Sequence, residues 1–386
     1  MANIRGFFLK TQKLVGTGMY GLNFILHLDF KFHNKTMEIK RNSQIKSTSV
    51  KDLFGLMPDG EEIYSYELSN KNGMKLKVIT YGATITELKM PLKNGEIVDV
   101  VLGFDTLESY IQSFNLVSPP YMGATVGRYA GRIYNSSFNL NGQKVVLNKN
   151  NNDNSLHGGF IGFSQKNWTV KKVHSGRKSA ITLTYSSPAG EENYPGKLTV
   201  ELTYTLSEKN ELIIQYNAKT TADTVVNLTH HSYFNLDGHI SNVSDQELIV
   251  NTHRMLETTV ENIPTGRFLE IENTDFDFFT PKKCPSKIDN TFVLDRKDEF
   301  AASLFNKKNN LKMTVYTDQP GVHIYVGGNC FNTIKGKENA DYHPLSGICF
   351  ETQNYPDAPN NPNFPSAVLK KGAEYTHNTI YKFQSF

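Results

Sequence analysis

Two histidines stand side by side in the run VVNLTHHSYFNLD, Val225 to Asp237, and imidazole is the side chain that can offer and recover a proton near neutral pH. In an extended chain, successive side chains point to opposite faces. Val226, Leu228 and His230 then share one face, and Asn227, Thr229, His231 and Tyr233 share the other. This parity puts His231 on the polar face and parts it from His230, so the adjacent pair cannot jointly ligate one metal. A second group lies in GICFETQNYPDAPNNPNFP, Gly347 to Pro365. There Ile348 and Phe350 face one way and leave Glu351 and Gln353 on the other, just before Pro356, Pro359, Pro362 and Pro365 stiffen the chain. A carboxylate and an imidazole are the components of general acid–base chemistry.

Further candidates are scattered. GATVGRYAGRIYNSS holds Arg128 and Arg132 among glycines, but lacks the Gly-Lys-Ser/Thr of a phosphate loop and is flanked by strands and turns. A guanidinium offering paired donors to hydroxyl groups fits better than nucleotide binding. His157 in SLHGGFIGF precedes two glycines, which let the backbone approach a ligand closely or simply form a turn. Asp289 in IDNTFVL reads as an Asx-turn residue just before a strand. His323 and Tyr325 alternate with Val322, Ile324 and Val326, and so face away from the core. Taken alone, each has an ordinary structural reading: a hydrogen-bonded histidine, a surface ion pair, a turn.

The elements that must position these residues are strands. From about residue 52 onward the pattern has period two. Leu198, Val200, Leu202, Tyr204 and Leu206 alternate with polar residues, and Leu212, Ile214 and Tyr216 follow after a polar turn, which predicts a hairpin. Asn94-Gly95 and Asn141-Gly142 mark two more, because this dipeptide tolerates the positive φ of tight turns. Helical signal is scarce; Asp105 and Glu108 form a capping box before Leu107, Tyr110 and Ile111. No repeat or linker interrupts residues 50–386, so the expectation is one all-β domain, a large antiparallel β-sandwich. The Asn-rich stretch Asn148 to Asn154 reads as a loop.

Composition narrows the partners. The 41 basic and 38 acidic side chains leave a net charge of +3 on 386 residues, too little to attract nucleic acid or an anionic membrane. Three cysteines, Cys284, Cys330 and Cys349, cannot staple such a chain and point to a reducing, cytoplasmic setting. The sequons at Asn135 and Asn227 are read as unmodified. The longest apolar stretch, Leu14 to Leu28, is interrupted by glycines and a histidine, so no membrane span is expected. Residues 1–49 are basic and lack sustained alternation; they are read as a disordered or loosely docked extension, dispensable for activity, with Met37 as an alternative start.

From about Phe54 onward the chain resembles the aldose 1-epimerase (galactose mutarotase) family. The resemblance rests on VVLGFDTLESY, GRYAGRI, SLHGG, YPG at Tyr194 to Gly196, NLTHHSYFNL, IPTG at Ile263 to Gly266, QPGVHIY and ETQNYPDAPN, in that order. It implies a galactose mutarotase-like supersandwich and an isomerase acting on free hexoses such as galactose and glucose, with neither metal nor cofactor, as a monomer or weak homodimer. By the family pattern, Glu351 is the general base and His231 the general acid. Arg132, His157 and Asp289 grip the sugar, with Tyr233, His323 and Gly131 in the same pocket. Three positions depart from the pattern: His230 and Gly131 stand where asparagine is common, and His323 where glutamine is frequent. The alternatives are a hexose-6-phosphate 1-epimerase, which needs extra positive charge, and a non-catalytic sugar-binding module, which could dispense with Glu351 and His231. A glycoside hydrolase would need a second carboxylate flanking the scissile bond.

Overall fold

The computed structural model describes residues 50–176, 178–295, 299–327 and 333–386. The N-terminal extension and Cys330 lie outside the described residues.

The predicted hairpin is Leu198–Leu206 against Glu211–Thr220, in register from Leu198 with Thr220 to Leu206 with Leu212. Its apolar set, Leu198, Val200, Leu202, Tyr204 and Leu206, is fully buried, and each such side chain contributes about 1.5–3 kcal/mol on leaving water. The hairpin lies within a nine-stranded antiparallel sheet that continues through Glu374–Ser385 and Leu311–Thr317. A six-stranded antiparallel sheet packs on it, in the order Tyr233–Phe234, Ile348–Gln353, Gly321–Val326, Ile288–Val293, Arg254–Thr258, Pro264–Glu270. The Phe234 and Tyr381 rings meet across the layers at 4.9 Å, and the Tyr381 hydroxyl donates to the Phe350 carbonyl at 2.8 Å. A five-stranded meander, Val50–Leu56 to Ile97–Asp99, and four two-stranded ribbons make up the rest of the described strands in an almost all-β sandwich. Both Asn-Gly turns join antiparallel strands, with Gly95 and Gly142 at positive φ.

The six-stranded sheet positions the site. Along Ile348–Gln353, Ile348 and Phe350 enter the core, while Glu351 and Gln353 look the other way, into a cleft. Cross-strand register then sets two rows on that face: Thr291, His323 and Glu351 in one, and Asp289, Tyr325, Cys349 and Tyr233 in the next.

Three local expectations need correction. The helix Leu107–Ser113 is capped by Thr106, whose hydroxyl accepts the Ser109 N–H at 3.2 Å, because the cap must reach three residues ahead and Asp105 stands one too early. Glu108 accepts from Gln112 instead. Asp289 lies inside the strand Ile288–Val293 rather than before it, and side chains, not its own turn, tie its carboxylate. Val225 to Asp237 is not one strand: Thr224–Val225, Thr229–His230 and Tyr233–Phe234 each pair with a different partner. Asn227 is wholly buried, donating to the carbonyls of Ala130 and Asn354, which leaves no room for a glycan. Among the described residues no helix is long and apolar enough to cross a membrane.

Candidate active site

A cleft of about 350 Å³ opens on the outer face of the six-stranded sheet, and all eight residues singled out from the sequence line it: Gly131, Arg132, His157, His231, Tyr233, Asp289, His323 and Glu351. At its floor His231 Nε2 lies 3.5 Å from Glu351 Oε1, with both side chains almost completely buried. Glu351 is therefore no surface ion-pair residue. Rings enclose the imidazole: Tyr233 at 5.2 Å, Tyr121 at 5.9 Å and, edge-on, His157 at 5.6 Å. Such a pair can remove one proton and deliver another at adjoining atoms of a small molecule.

Beside it stands a second imidazole–carboxylate pair. His323 Nε2 is 2.8 Å from Asp289 Oδ1, its Nδ1 is 2.9 Å from the Thr291 hydroxyl, and Asn262 Nδ2 donates to Asp289 Oδ2 at 2.6 Å. Burial pushes the Asp289 carboxyl up, but the bond to His323 and the charges of His323 and Arg132 outweigh it and hold the group at about 2. For His323 burial pushes the other way, and the Asp289 bond and charge, helped by Glu351, raise it above its ordinary value. Both shifts describe one ion pair. Two lone-pair positions on Asp289 remain for hydroxyl donors.

His157 sits at φ +52°, followed by Gly158 at φ +89°, where a Cβ would meet the Gly127 carbonyl oxygen at 2.0 Å. The glycines thus serve a close backbone approach that no other residue allows. Gly131, itself at φ +77° and packed on Pro356, donates its N–H to His157 Nδ1 at 3.3 Å. The loop is also clasped by Asn150, which bonds Leu156 at both its N–H and carbonyl and the Gly159 carbonyl.

The fold brings His157, His231 and Glu351 together, with ligand-type atoms all within 4.8 Å, although these residues are far apart in the chain. Whether they suit a metal turns on proton placement. Burial, followed by the charges of His231 and Arg132, holds His157 well below the ordinary imidazole value and so neutral. With Nδ1 accepting from Gly131, the single proton lies on Nε2, which then donates and has no lone pair to give an ion. The donor set fits an oxygen-rich neutral molecule better than a cation.

The neighbouring look-alikes separate. Arg132 lines the cleft, its Nε donating to Asn151 Oδ1 at 3.1 Å. Arg128 is buried elsewhere on the carbonyls of Pro195 and Gly196, at 2.9 and 2.8 Å, and holds the chain together. His230 points into the core with its ring edge-on to Tyr204, and burial, then His231, brings it down to about 3. Sequence reasoning missed Asn262, Thr291, Asn151 and Tyr121. Asn262 lies immediately before the IPTG run and Asn151 within the Asn-rich loop, so position relative to those runs was the available signal.

Fold and cleft define a class: a large β-sandwich protein with a buried imidazole–carboxylate pair and polar side walls, shaped for a small uncharged molecule. Residues 64–382 match the family described as aldose 1-epimerase. A galactose mutarotase from Mus musculus is 40% identical over 342 residues, covering 86% of this chain and 97% of its own. An aldose 1-epimerase from Escherichia coli is 30% identical, covering 85% and 97%. Among solved structures, an aldose epimerase homologue from C. elegans superposes with a TM-score of 0.76 at 28% identity, covering 83% of this chain and 98% of that one. The chain belongs to the aldose 1-epimerase family and is an isomerase.

Proposed function

We propose that the chain interconverts the α and β anomers of free hexoses, galactose and glucose among them, with Glu351 as general base and His231 as general acid. Glu351 takes the proton of the anomeric hydroxyl while His231 delivers one to the ring oxygen. The C1–ring oxygen bond breaks, and the electron pair of the O–H bond becomes the aldehyde C=O. Rotation about C1–C2 exposes the other aldehyde face, and the reverse transfers close the ring. Both oxygens are bonded to the same carbon, so the acid and the base must lie close together. The separation of 3.5 Å between His231 and Glu351 at the cleft floor meets that demand, and it is the observation on which this reading rests. His157, Arg132, Asp289 and His323 hold sugar oxygens, Tyr233 packs on the acid, and Gly131 orients His157. No electron or group carrier enters this scheme.

Arg132 is the one Lys or Arg among the described residues that line the cleft, which favours a free sugar over a 6-phosphate. The test is polarimetry on fresh α-D-galactose, α-D-glucose and glucose 6-phosphate. Rapid anomer exchange is expected with the two free sugars. A clear preference for the phosphate, or rates no faster than buffer alone, overturns the reading.

A further inference from the structure

His231 has two ring nitrogens, and only Nε2 faces Glu351. Nδ1 lies 3.6 Å from the sulfur of Cys349, a hydrogen-bond contact for a sulfur atom. Cys349 is completely buried. It stands two residues before Glu351 on Ile348–Gln353, so one face of one strand carries both groups that meet the imidazole. Its cross-strand neighbours are Tyr233 and Tyr325, both of which pack on the His231 ring.

A histidine that gives a proton from Nε2 and later takes it back must keep its other proton on Nδ1 in both states. Whatever faces Nδ1 therefore has to accept a hydrogen bond. A carboxylate there would bind the imidazolium tightly and hinder release of the proton, whereas sulfur is a weak acceptor. The thiol must also stay neutral. Burial first, then the charges of Glu351 and Asp289, push its ionisation well above the ordinary thiol range, so no thiolate competes for the proton.

We propose that Cys349 is the positioning residue for His231: its sulfur accepts the Nδ1–H, leaving Nε2 as the proton-carrying atom throughout the cycle without holding the imidazolium strongly. This rests on His231 being the general acid, and the two ideas can fail separately. H231N tests the acid; substitutions at Cys349 test only its support.

Full-length C349A and C349V are compared with wild type for kcat and KM by polarimetry, across the pH range in which histidine titrates. Valine fills the space of the thiol without offering an acceptor. In both variants kcat falls roughly 10-fold, KM stays within about twofold, and the pH profile of kcat moves, as when a group orienting a working histidine is lost. Wild-type kcat and pH profile in C349V mean that the sulfur only fills space, which overturns the proposal. Should neither variant fold, nitrogen NMR of the wild-type imidazole decides: the neutral ring carries its proton on Nδ1, and a proton on Nε2 instead refutes the assignment.

Discussion

In the Asp289–His323 pair every polar atom already has a protein partner: Asn262 on one carboxylate oxygen, Thr291 on the outer ring nitrogen, and a 2.8 Å bond between the two. The Glu351–His231 pair, one cross-strand position away, meets at 3.5 Å, which is long for a hydrogen bond, and its outer nitrogen faces only a thiol. The same two functional groups, a carboxylate and an imidazole in one cleft, are thus tied in one place and slack in the other. A group that holds a hydroxyl gains from being fixed before the ligand arrives. A group that passes protons must not be committed to a partner that keeps them, and its contacts tighten only when the reacting molecule is present. On this comparison Asp289–His323 is built for binding and Glu351–His231 for reaction.

The largest test of this division is removal of the slack pair. Glu351→Gln and His231→Asn should each lower kcat by about 10²–10⁴-fold, the usual contribution of a positioned base or acid. The thermal midpoint should move little, because neither group is strongly bonded in the resting cleft. Polarimetry and a melting curve check both halves, and near-wild-type turnover in either folded variant removes the assignment. Asp289→Asn should act differently, raising KM by roughly 10–100-fold, the worth of one or two charge-assisted hydrogen bonds, with a smaller effect on kcat. The neutral amide also gives up the ion pair with His323, so this variant should melt earlier. A kcat loss as deep as that of E351Q would erase the distinction between the pairs.

How far the sequence carried this reading differs between the pairs. Strand parity alone put Glu351 opposite Phe350 and His323 opposite Ile324, and both lie as that parity requires; His231 also reaches the cleft, but between two short strands with different partners rather than within the single strand that the alternation predicts. Parity is local, set by the pleat of a single strand. The bond between Asp289 and His323 depends on the register of two strands some thirty residues apart, which only the folded sheet fixes. The aspartate therefore read as a turn residue. Arg128 and Arg132 pose the same difficulty: four residues apart among glycines, they look alike until the carbonyls of Pro195 and Gly196 close around one of them. The working roles of Glu351 and His231 came from the resemblance of whole runs, since an isolated histidine or glutamate is most often structural.

A finer prediction concerns pH. Relative to the unfolded chain, Asp289 is lowered from 3.8 to about 2, so its stabilising contribution is present above pH 3.8 and is lost as pH falls toward 2. His323 is raised, so its contribution is complete below the unfolded value of about 6.5 and is lost as pH climbs through its folded value. Wild type should therefore lose thermal midpoint on the alkaline side of about pH 6.5, and His323→Gln should flatten that slope and also weaken the acid-side loss, because the bond and charge of His323 are the main influences that lower Asp289. An unchanged alkaline slope in H323Q would mean that the pair is not an ion pair at neutral pH.

The smallest expected effect is none at all, and it bears on the slack pair. His157, His231 and Glu351 lie close enough to tempt a divalent ion, and two histidines with a carboxylate are a familiar ligand set. For His157 to serve, its Nε2 must surrender a proton to Nδ1, where the Gly131 N–H already points; two hydrogens would then confront each other across 3.3 Å. Arg132 adds a positive charge to the same cleft. Dialysis against a chelator should accordingly leave kcat and KM unchanged, and added zinc should not raise either the rate or the thermal midpoint. Activity lost on dialysis and restored by a divalent ion would mean that His157 flips its tautomer, and that the imidazole–carboxylate pair at the cleft floor works on a metal-bound oxygen rather than directly on the sugar.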